Sequence, residues 1–185
     1  MTKAERYVRA NLIVELEDVQ GSPISRADNG LTIYEKTLIY HYTKDGYVRI
    51  NQGLRSHGQT DLEVVPLLES ALRKLPPYQG IVHRTAVLTR KQLQSYLSSW
   101  RAGRVKAVPE FLSSSKSALI PRMRPRFNVK FRIVSRSGRS IEEVSYMGKH
   151  TPPNEQEVLF LPGSRFEISD VTDFAGYVLI FMEEV

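Results

Sequence analysis

The chain has 185 residues, a net charge of +6 and no cysteine. This length fits one domain, or one domain with a small helical addition, and 41% hydrophobic residues suit a packed core. The composition excludes disulfides, thiolate catalysis and cysteine zinc sites, and no apolar run approaches the ~20 residues of a membrane helix. The chain does not begin with a basic segment followed by an apolar one, so we expect no signal peptide. Scattered histidines predict no metal site; they are His41, His57, His83 and His150.

Positive charge is concentrated in residues 111–141, which contain eight basic residues and no acidic residue. The rest of the chain has 18 basic against 20 acidic residues, a balance of −2. Such a segment is either a solvated face or a surface that meets phosphate or an acidic partner. The eight residues are Lys116, Arg122, Arg124, Arg126, Lys130, Arg132, Arg136 and Arg139.

The first half of the chain is predicted to be mainly helical. Residues 31–42 repeat apolar side chains at helical spacing, and Asp45-Gly46 predicts a stop. A short helix is predicted over 47–54, and a third around 66–75 has Pro66 in its first turn. Residues 4–24 fit a helix or a strand.

The second half changes to strand periodicity after a helix that Thr89 is expected to cap. Residues 127–133 alternate apolar and polar side chains, which predicts a half-buried strand. Helices first and strands second predict an α+β fold with mostly antiparallel sheets. The other predicted strands are 80–84, 141–147, 158–161, 166–171 and 177–182, with glycines such as Gly138 between them.

Two carboxylates stand at the start of one predicted strand, Glu155 and Glu157. On a strand, positions i and i+2 face the same side, so their Cα atoms would lie ~6–7 Å apart. One interpretation is a strand end whose acids reach solvent. The other is a pair that serves a developing positive charge, as in glycosyl transfer, where carboxylates flank an oxocarbenium-like transition state.

Two further features accompany this pair. Ser113-Ser114-Ser115 is a hydroxyl cluster at a predicted strand end, and such clusters are most often turns. Arg84 ends the predicted strand 80–84; an arginine there is usually a surface residue, but its guanidinium also suits a phosphate.

Together these features resemble the mono-ADP-ribosyltransferases of the arginine–serine–glutamate class, the family of many bacterial toxins. Thr85 stands where that family has glycine, and Ser114 where it has threonine. The segment between Ser117 and Phe127 is short and arginine-rich, so we expect the family's loop on the nicotinamide side to be shortened here. The matching stretches are His83-Arg84-Thr85, Ser113-Ser114-Ser115, Glu155-Gln156-Glu157, Tyr40–Tyr47 with Ile50-Asn51, Ser137–Ile141 and Leu161–Phe166.

The resemblance implies a fold and a domain organisation. N-terminal helices would precede two packed, mostly antiparallel sheets, a split β-sandwich that forms an NAD cleft. Residues 1–185 would be a single catalytic domain, with an N-terminal extension over 1–30, a helical part over 31–75 and a mainly β core over 79–185.

The resemblance also implies NAD as the donor substrate and no metal. Arg84 would pair with the NAD diphosphate, and the backbone of Thr85 would hold nicotinamide. Ser113 would orient Glu157, which would bind the nicotinamide ribose and stabilise its cationic form. Glu155 would activate an acceptor, expected to be an arginine of a target protein. Phe127 would stack on nicotinamide or pack in the core.

Residues 147–154 would form the loop that meets the target, with Tyr146 and His150 as candidate contacts. Three alternatives stay open: an NAD glycohydrolase that uses water, a transferase or binder directed at RNA through residues 111–141, and an inactive member that binds a partner. Many relatives are secreted or injected effectors that act in another cell's cytoplasm. By that analogy we expect an acidic immunity protein as a partner and no membrane association.

Overall fold

The computed structural model describes residues 1–56, 63–119 and 126–185, and it divides them into two compact units. One unit contains Met1–Pro76 and Arg139–Glu157, and the other contains Pro77–Gly138 and Val158–Val185. Among these described residues, no helix is both long and apolar enough to cross a membrane. His57, Arg122 and Arg124, which the sequence analysis singled out, lie outside the described residues.

The first unit, here called the helical unit, contains the N-terminal helices and the segment that leads into Glu157. The ambiguous residues 4–24 are helical. The elements are α1 (Lys3–Asn11), α2 (Ile13–Gln20), a 3-10 turn (Pro23–Arg26), α3 (Ile33–His41), a π-helical turn (Tyr42–Gly46), α4 (Tyr47–Ser56) and α5 (Val64–Lys74).

Helix α3 is the centre of this unit. Thr32 and Glu35 form a reciprocal capping box at its start. Leu38 and Ile39 of α3, together with Leu68 and other residues of α5, are fully buried, so the apolar periodicity seen in the sequence does mark the core.

The predicted helix stop at Asp45-Gly46 is wrong, because the chain continues through the π-helical turn directly into α4. Gly46 has no positive φ, and a Cβ there would lie 2.7 Å from the His41 ring. The glycine therefore permits a close approach to His41 and does not end the helix. π-helical turns of this kind are frequent at functional sites.

The second unit, here called the strand unit, contains all or part of seven strands, and one helix. Strand β4 runs into the helical unit after Gly138, and β5 starts there with Glu157. The elements are β1 (Pro77–Ala86), α6 (Arg90–Arg101), β2 (Lys106–Ala107), β3 (Leu112–Ser115), β4 (Val129–Ser140), β5 (Glu157–Phe160), β6 (Arg165–Phe174) and β7 (Tyr177–Glu184).

Hydrogen bonds join the strands in the order β1-β3-β5-β4-β7-β6-β2, with an additional β1–β4 pairing. Strands β1 and β3, β2 and β6, and β6 and β7 pair antiparallel, whereas β4 and β7 are parallel. The expectation of an α+β fold with mostly antiparallel strands is confirmed.

Strand β4 shows why the alternating pattern was informative. Val129, Phe131 and Ile133 are buried, and Tyr96 of α6 packs on Phe131 with ring centres 5.2 Å apart. Thr89 caps α6 as predicted.

The predicted strand at 141–147 is wrong: these residues form turns, in which Ile141 and Val144 are buried three positions apart. Gly138 lies inside β4, not between strands.

Candidate active site

Arg84 and Ser113 are brought together in the strand unit. Arg84 lies on β1, where His83 pairs with Ser115 of the antiparallel strand β3. Its Nη1 atom donates a hydrogen bond of 2.6 Å to the Ser113 carbonyl oxygen. The half-buried guanidinium is therefore fixed at the serine strand by one of its five N–H donors.

The three serines of β3 differ in their surroundings. The Ser114 hydroxyl is buried and donates to the Val158 carbonyl oxygen at 2.9 Å. The buried Ser115 hydroxyl accepts from the Ser117 backbone N–H at 3.0 Å. Ser113 is half-buried, so it is the most exposed of the three. The hydroxyls of Ser114 and Ser115 thus bond within the strand unit. Ser113, the serine expected to act in the site, is the most accessible of the three.

A cavity of about 230 Å³ adjoins Arg84 within the strand unit. Its lining combines cationic side chains with aromatic rings. This combination suits an anionic ligand that also carries aromatic groups. The lining residues are His83, Arg84, Thr85, Ala118, Lys130, Phe131, Arg132, Tyr177, Leu179 and Phe181.

Phe127 lies in an aromatic cluster beside this cavity. Its ring meets Tyr177 edge-on at 5.6 Å, and Phe174 stacks on Tyr177 at 5.0 Å. The Lys130 ammonium lies 4.8 Å from the Phe127 ring centre and 4.2 Å from that of Tyr177. Phe127 is half-buried, unlike the core residue Phe131. Stacking of Phe127 on nicotinamide stays a prediction.

Glu157 belongs to the helical unit, where its side chain is only 6% exposed. The buried Ser145 hydroxyl donates to Glu157 Oε2 at 3.0 Å, and the Ile141 backbone N–H donates to the Glu157 carbonyl oxygen at 3.0 Å. Ser145 is not among the site residues that the sequence predicts. No local pattern marks it, because it lies twelve residues before Glu157 in a segment that was predicted to be a strand.

Glu155 does not share a strand with Glu157, so the predicted i, i+2 geometry is wrong. Strand β5 starts at Glu157, and Gln156 has a φ of 49°. The Glu155 backbone N–H donates to the Met147 carbonyl oxygen at 2.8 Å, and the Gln156 N–H donates to Asn154 Oδ1 at 2.8 Å. Glu155 is thus presented by a turn and Glu157 by a strand.

The segment before this turn is attached to the helices of its own unit. The Tyr146 backbone N–H donates to Thr43 Oγ1 at 2.8 Å, and the Tyr146 ring meets Tyr40 edge-on at 5.5 Å. His150 is exposed, with Nε2 3.5 Å from Glu143 Oε2. Contact of Tyr146 or His150 with a target stays a prediction.

The predicted site residues therefore fall into two groups. Arg84, Thr85, Ser113 and Phe127 belong to the strand unit, and Glu155 with Glu157 belongs to the helical unit.

The described members of the basic segment have different partners. Lys130 and Arg132 line the cavity beside Arg84, whereas Arg136 forms an ion pair with Glu183. Arg139 donates to the Leu75 carbonyl oxygen at 2.8 Å, and Lys116 lies over the Tyr78 ring.

The described residues contain one group that could hold a metal: Glu15, His41 and Asp45, whose ligand atoms lie within 4.8 Å of one another. His41 Nδ1 already lies 2.9 Å from Glu15 Oε1, a histidine–carboxylate contact that accounts for the grouping. Glu15 and His41 are 26 residues apart, which is why the sequence did not pair them. We assign no metal chemistry to this group.

The comparisons with known proteins identify the class. The chain belongs to the ADP-ribosyltransferase exoenzyme family, whose profile matches residues 20–178. It is similar to Mav of Mycobacterium avium strain 104, which is named as an NAD(+)–arginine ADP-ribosyltransferase, with 35% identity over 136 residues. That match covers 71% of this chain and 15% of Mav, so the chain spans a small part of that relative.

Vis of Vibrio splendidus strain 12B01, also named as an NAD(+)–arginine ADP-ribosyltransferase, is 27% identical over 87% of this chain and 70% of Vis. Its solved structure with agmatine has a TM-score of 0.69, covering 95% of this chain and 86% of that one at 23% identity. Exoenzyme S of Pseudomonas aeruginosa, solved with human 14-3-3 protein beta and carba-NAD, has a TM-score of 0.77 over 99% of this chain and 87% of that one, at 17% identity. These structures show the ADP-ribosyltransferase fold.

Proposed function

We propose that this protein transfers ADP-ribose from NAD to an arginine of a target protein and releases nicotinamide. The observation that carries the proposal is the buried Glu157 carboxylate, which a hydroxyl group holds at the start of β5 in a chain of this family. The proposal treats residues 1–185 as one catalytic domain, because Arg84 and Ser113 belong to one unit and Glu155 and Glu157 to the other.

Arg84 binds the NAD diphosphate in this proposal. Its guanidinium is anchored at Ser113, and Lys130 and Arg132 line the same cavity, so several cations attract a doubly charged diphosphate. The backbone of Thr85 holds the nicotinamide amide, and Phe127 stacks on its ring. NAD is an anion with two aromatic ring systems, and the cationic and aromatic lining supports this assignment. The proposal assigns no metal.

Glu157 accepts a hydrogen bond from a hydroxyl of the nicotinamide ribose. As the bond between the ribose C1 and the nicotinamide nitrogen breaks, its electron pair leaves with nicotinamide and the ribose becomes cationic. The carboxylate stabilises that charge in a partly desolvated site, where the interaction is stronger than in water. Ser113, as the accessible serine of β3, is proposed to help orient Glu157.

Glu155 serves the acceptor. Its turn presents the carboxylate separately from the strand that holds Glu157, which suits a group that meets a second substrate. It orients the acceptor guanidinium and takes the proton released when that nitrogen bonds to the ribose carbon. Two observations support an arginine acceptor: the names of Mav and Vis, and the Vis structure with agmatine, a compound that carries a guanidinium.

The family is described as exoenzymes, so we propose that the protein acts in the cytoplasm of another cell after secretion or injection. An acidic immunity protein remains part of this proposal, with Lys130 and Arg132 as its candidate contacts. Co-purification of an acidic partner, lost when both residues are changed to glutamine, would test it.

Labelled NAD incubated with agmatine, an arginine peptide or RNA tests the acceptor. The proposal predicts label on agmatine and the peptide, and loss of that label in Glu155→Gln while some nicotinamide release continues. Nicotinamide release with no labelled acceptor would instead favour the NAD glycohydrolase, and label on RNA alone would favour the RNA-directed enzyme. NAD binding with no nicotinamide release would indicate an inactive binder.

A further inference from the structure

We propose that Ser145 is a positioning residue for Glu157, and that its hydroxyl fixes the carboxylate in the orientation needed to stabilise the ribose cation. This inference rests on the proposed function. It adds a group that the arginine–serine–glutamate motifs do not include. Ser145 itself would not touch NAD and would act through Glu157.

The contact joins two buried side chains of the helical unit. Ser145 is 2% exposed and Glu157 is 6% exposed, and the hydroxyl donates to Oε2 at 3.0 Å. A buried carboxylate needs hydrogen-bond donors, because its charged form loses the donors that water supplied. A hydroxyl has one proton to donate, so the bond to Oε2 selects one orientation of the carboxylate plane.

One short turn holds both partners. The Val144 and Ser145 backbone N–H groups donate to the Ile141 carbonyl oxygen at 3.0 and 2.8 Å. The Ile141 N–H donates to the Glu157 carbonyl oxygen at 3.0 Å. The turn therefore ties the Glu157 backbone at one end and supplies the hydroxyl for its side chain at the other. Such a closed arrangement restricts the Glu157 rotamer before any ligand binds.

The next residue anchors this turn to the π-helical turn. The Tyr146 N–H donates to Thr43 Oγ1 at 2.8 Å, and that hydroxyl donates to the Tyr40 carbonyl oxygen at 3.0 Å. The Tyr146 and Tyr40 rings also meet edge-on. The π-helical turn thereby helps to hold Ser145 in place, which gives that irregular helix a role in the site.

Ser145→Ala tests the proposal by kinetics. We expect kcat for nicotinamide release to fall about tenfold or more, with KM for NAD within about twofold, because the lost bond orients a charged group in the reaction step. The acid limb of the kcat–pH profile should move to higher pH, because a donor that stabilised the ionised carboxylate is gone. Ser145→Thr keeps a hydroxyl and should restore most of both effects.

Ser135→Ala is the matched control. Ser135 is equally buried at 2% exposure, but its hydroxyl donates to the Tyr78 carbonyl oxygen in the strand unit. Loss of this hydroxyl should lower the melting temperature without changing kcat or the pH profile. Equal effects of Ser135→Ala and Ser145→Ala on kcat would show that any buried hydroxyl matters, and would overturn the positioning role.

An NMR titration of the Glu157 carboxyl carbon gives a readout that does not depend on activity. The carboxyl should titrate at a higher pH in Ser145→Ala than in the wild type, and Ser145→Thr should return it. An unchanged titration and an unchanged kcat in Ser145→Ala would overturn the inference while leaving the proposed function intact. Absence of nicotinamide release from the wild type would instead overturn the proposed function, and the titration would still decide whether Ser145 controls Glu157.

Discussion

Arg84 and Ser113 are 29 positions apart in the chain, yet the Arg84 guanidinium donates a 2.6 Å hydrogen bond to the Ser113 carbonyl oxygen. The antiparallel pairing of β1 with β3 creates this contact. It fixes the orientation of a cation whose planar fork can then meet a phosphate. The position of Arg84 is therefore a property of the sheet and not of a flexible surface side chain.

Arg84→Lys should raise KM for NAD about 10- to 100-fold, because a lysine keeps the charge but loses the forked donors and the anchor at Ser113. Initial rates of nicotinamide release at varied NAD concentration measure this. Arg136→Lys is the matched control, since Arg136 is exposed and pairs with Glu183. An unchanged KM in Arg84→Lys would remove Arg84 from the diphosphate site.

Phe127→Ala should raise KM for NAD about 2- to 10-fold, the range that an aromatic contact supplies. The melting temperature should change little, because Phe127 is only half-buried. Phe166→Ala provides the contrast: Phe166 is fully buried against Phe160, and its loss should lower the free energy of unfolding by about 3–5 kcal/mol. If Phe127→Ala destabilised the fold as much as Phe166→Ala, the core interpretation of Phe127 would be correct.

Glu35 makes the stability of the helical unit depend on pH. Burial alone would raise the pKa of Glu35, but the Lys74 ammonium at 2.7 Å and the hydrogen bonds from Thr32 outweigh it and hold that pKa below its ordinary value. A lowered folded-state pKa contributes stability above the unfolded-state pKa, and the contribution is lost as pH falls through the folded-state value.

Urea unfolding between about pH 6 and pH 3, a range that spans the ordinary glutamate pKa, should therefore show a smaller loss of stability in Glu35→Gln than in the wild type. The variant should also be less stable at neutral pH. Identical slopes of unfolding free energy against pH in the two proteins would contradict this account of Glu35.

Gly148→Ala should damage the turn that carries Ser145. A Cβ at Gly148 would overlap the Glu142 carbonyl oxygen and lie 2.8 Å from the Ser145 carbonyl oxygen, and backbone atoms cannot move aside cheaply. We expect a lower kcat for nicotinamide release together with a lower melting temperature. Gly21→Ala is the control, because its nearest contact would be an ordinary 3.4 Å. Wild-type activity in Gly148→Ala would show that this turn tolerates displacement.

The sequence predicted those parts of the fold that short-range chemistry determines. Pro66 in the first turn of α5 and the Thr89 cap of α6 are local signals, and both helices form there. The π-helical turn was missed because it depends on the close approach of Gly46 to His41. The segment 141–147 was predicted incorrectly as a strand because Ile141 and Val144 are apolar. Both residues are buried, but they lie in turns.

For the site, ordered motifs identified Arg84, Ser113 and Glu157, whose roles stay proposals. Ser145 carries no motif signal, because its position depends on a turn that returns the chain to Glu157 after twelve residues. Lys130 and Tyr177 were likewise not associated, since their contact requires the parallel pairing of β4 with β7. Long-range pairing of this kind cannot be deduced from periodicity alone.

Nicotinamide release from NAD by the wild type and by Glu157→Gln tests the central claim most directly. Glutamine keeps the size of the side chain but removes the negative charge that would stabilise the ribose cation. We predict that the wild type releases nicotinamide and that Glu157→Gln lowers the rate at least about 100-fold. Glu183→Gln is the control, because Glu183 forms an ion pair with Arg136 outside the site, and this variant should release nicotinamide at the wild-type rate. Release by Glu157→Gln at a rate close to that of the wild type would contradict the account.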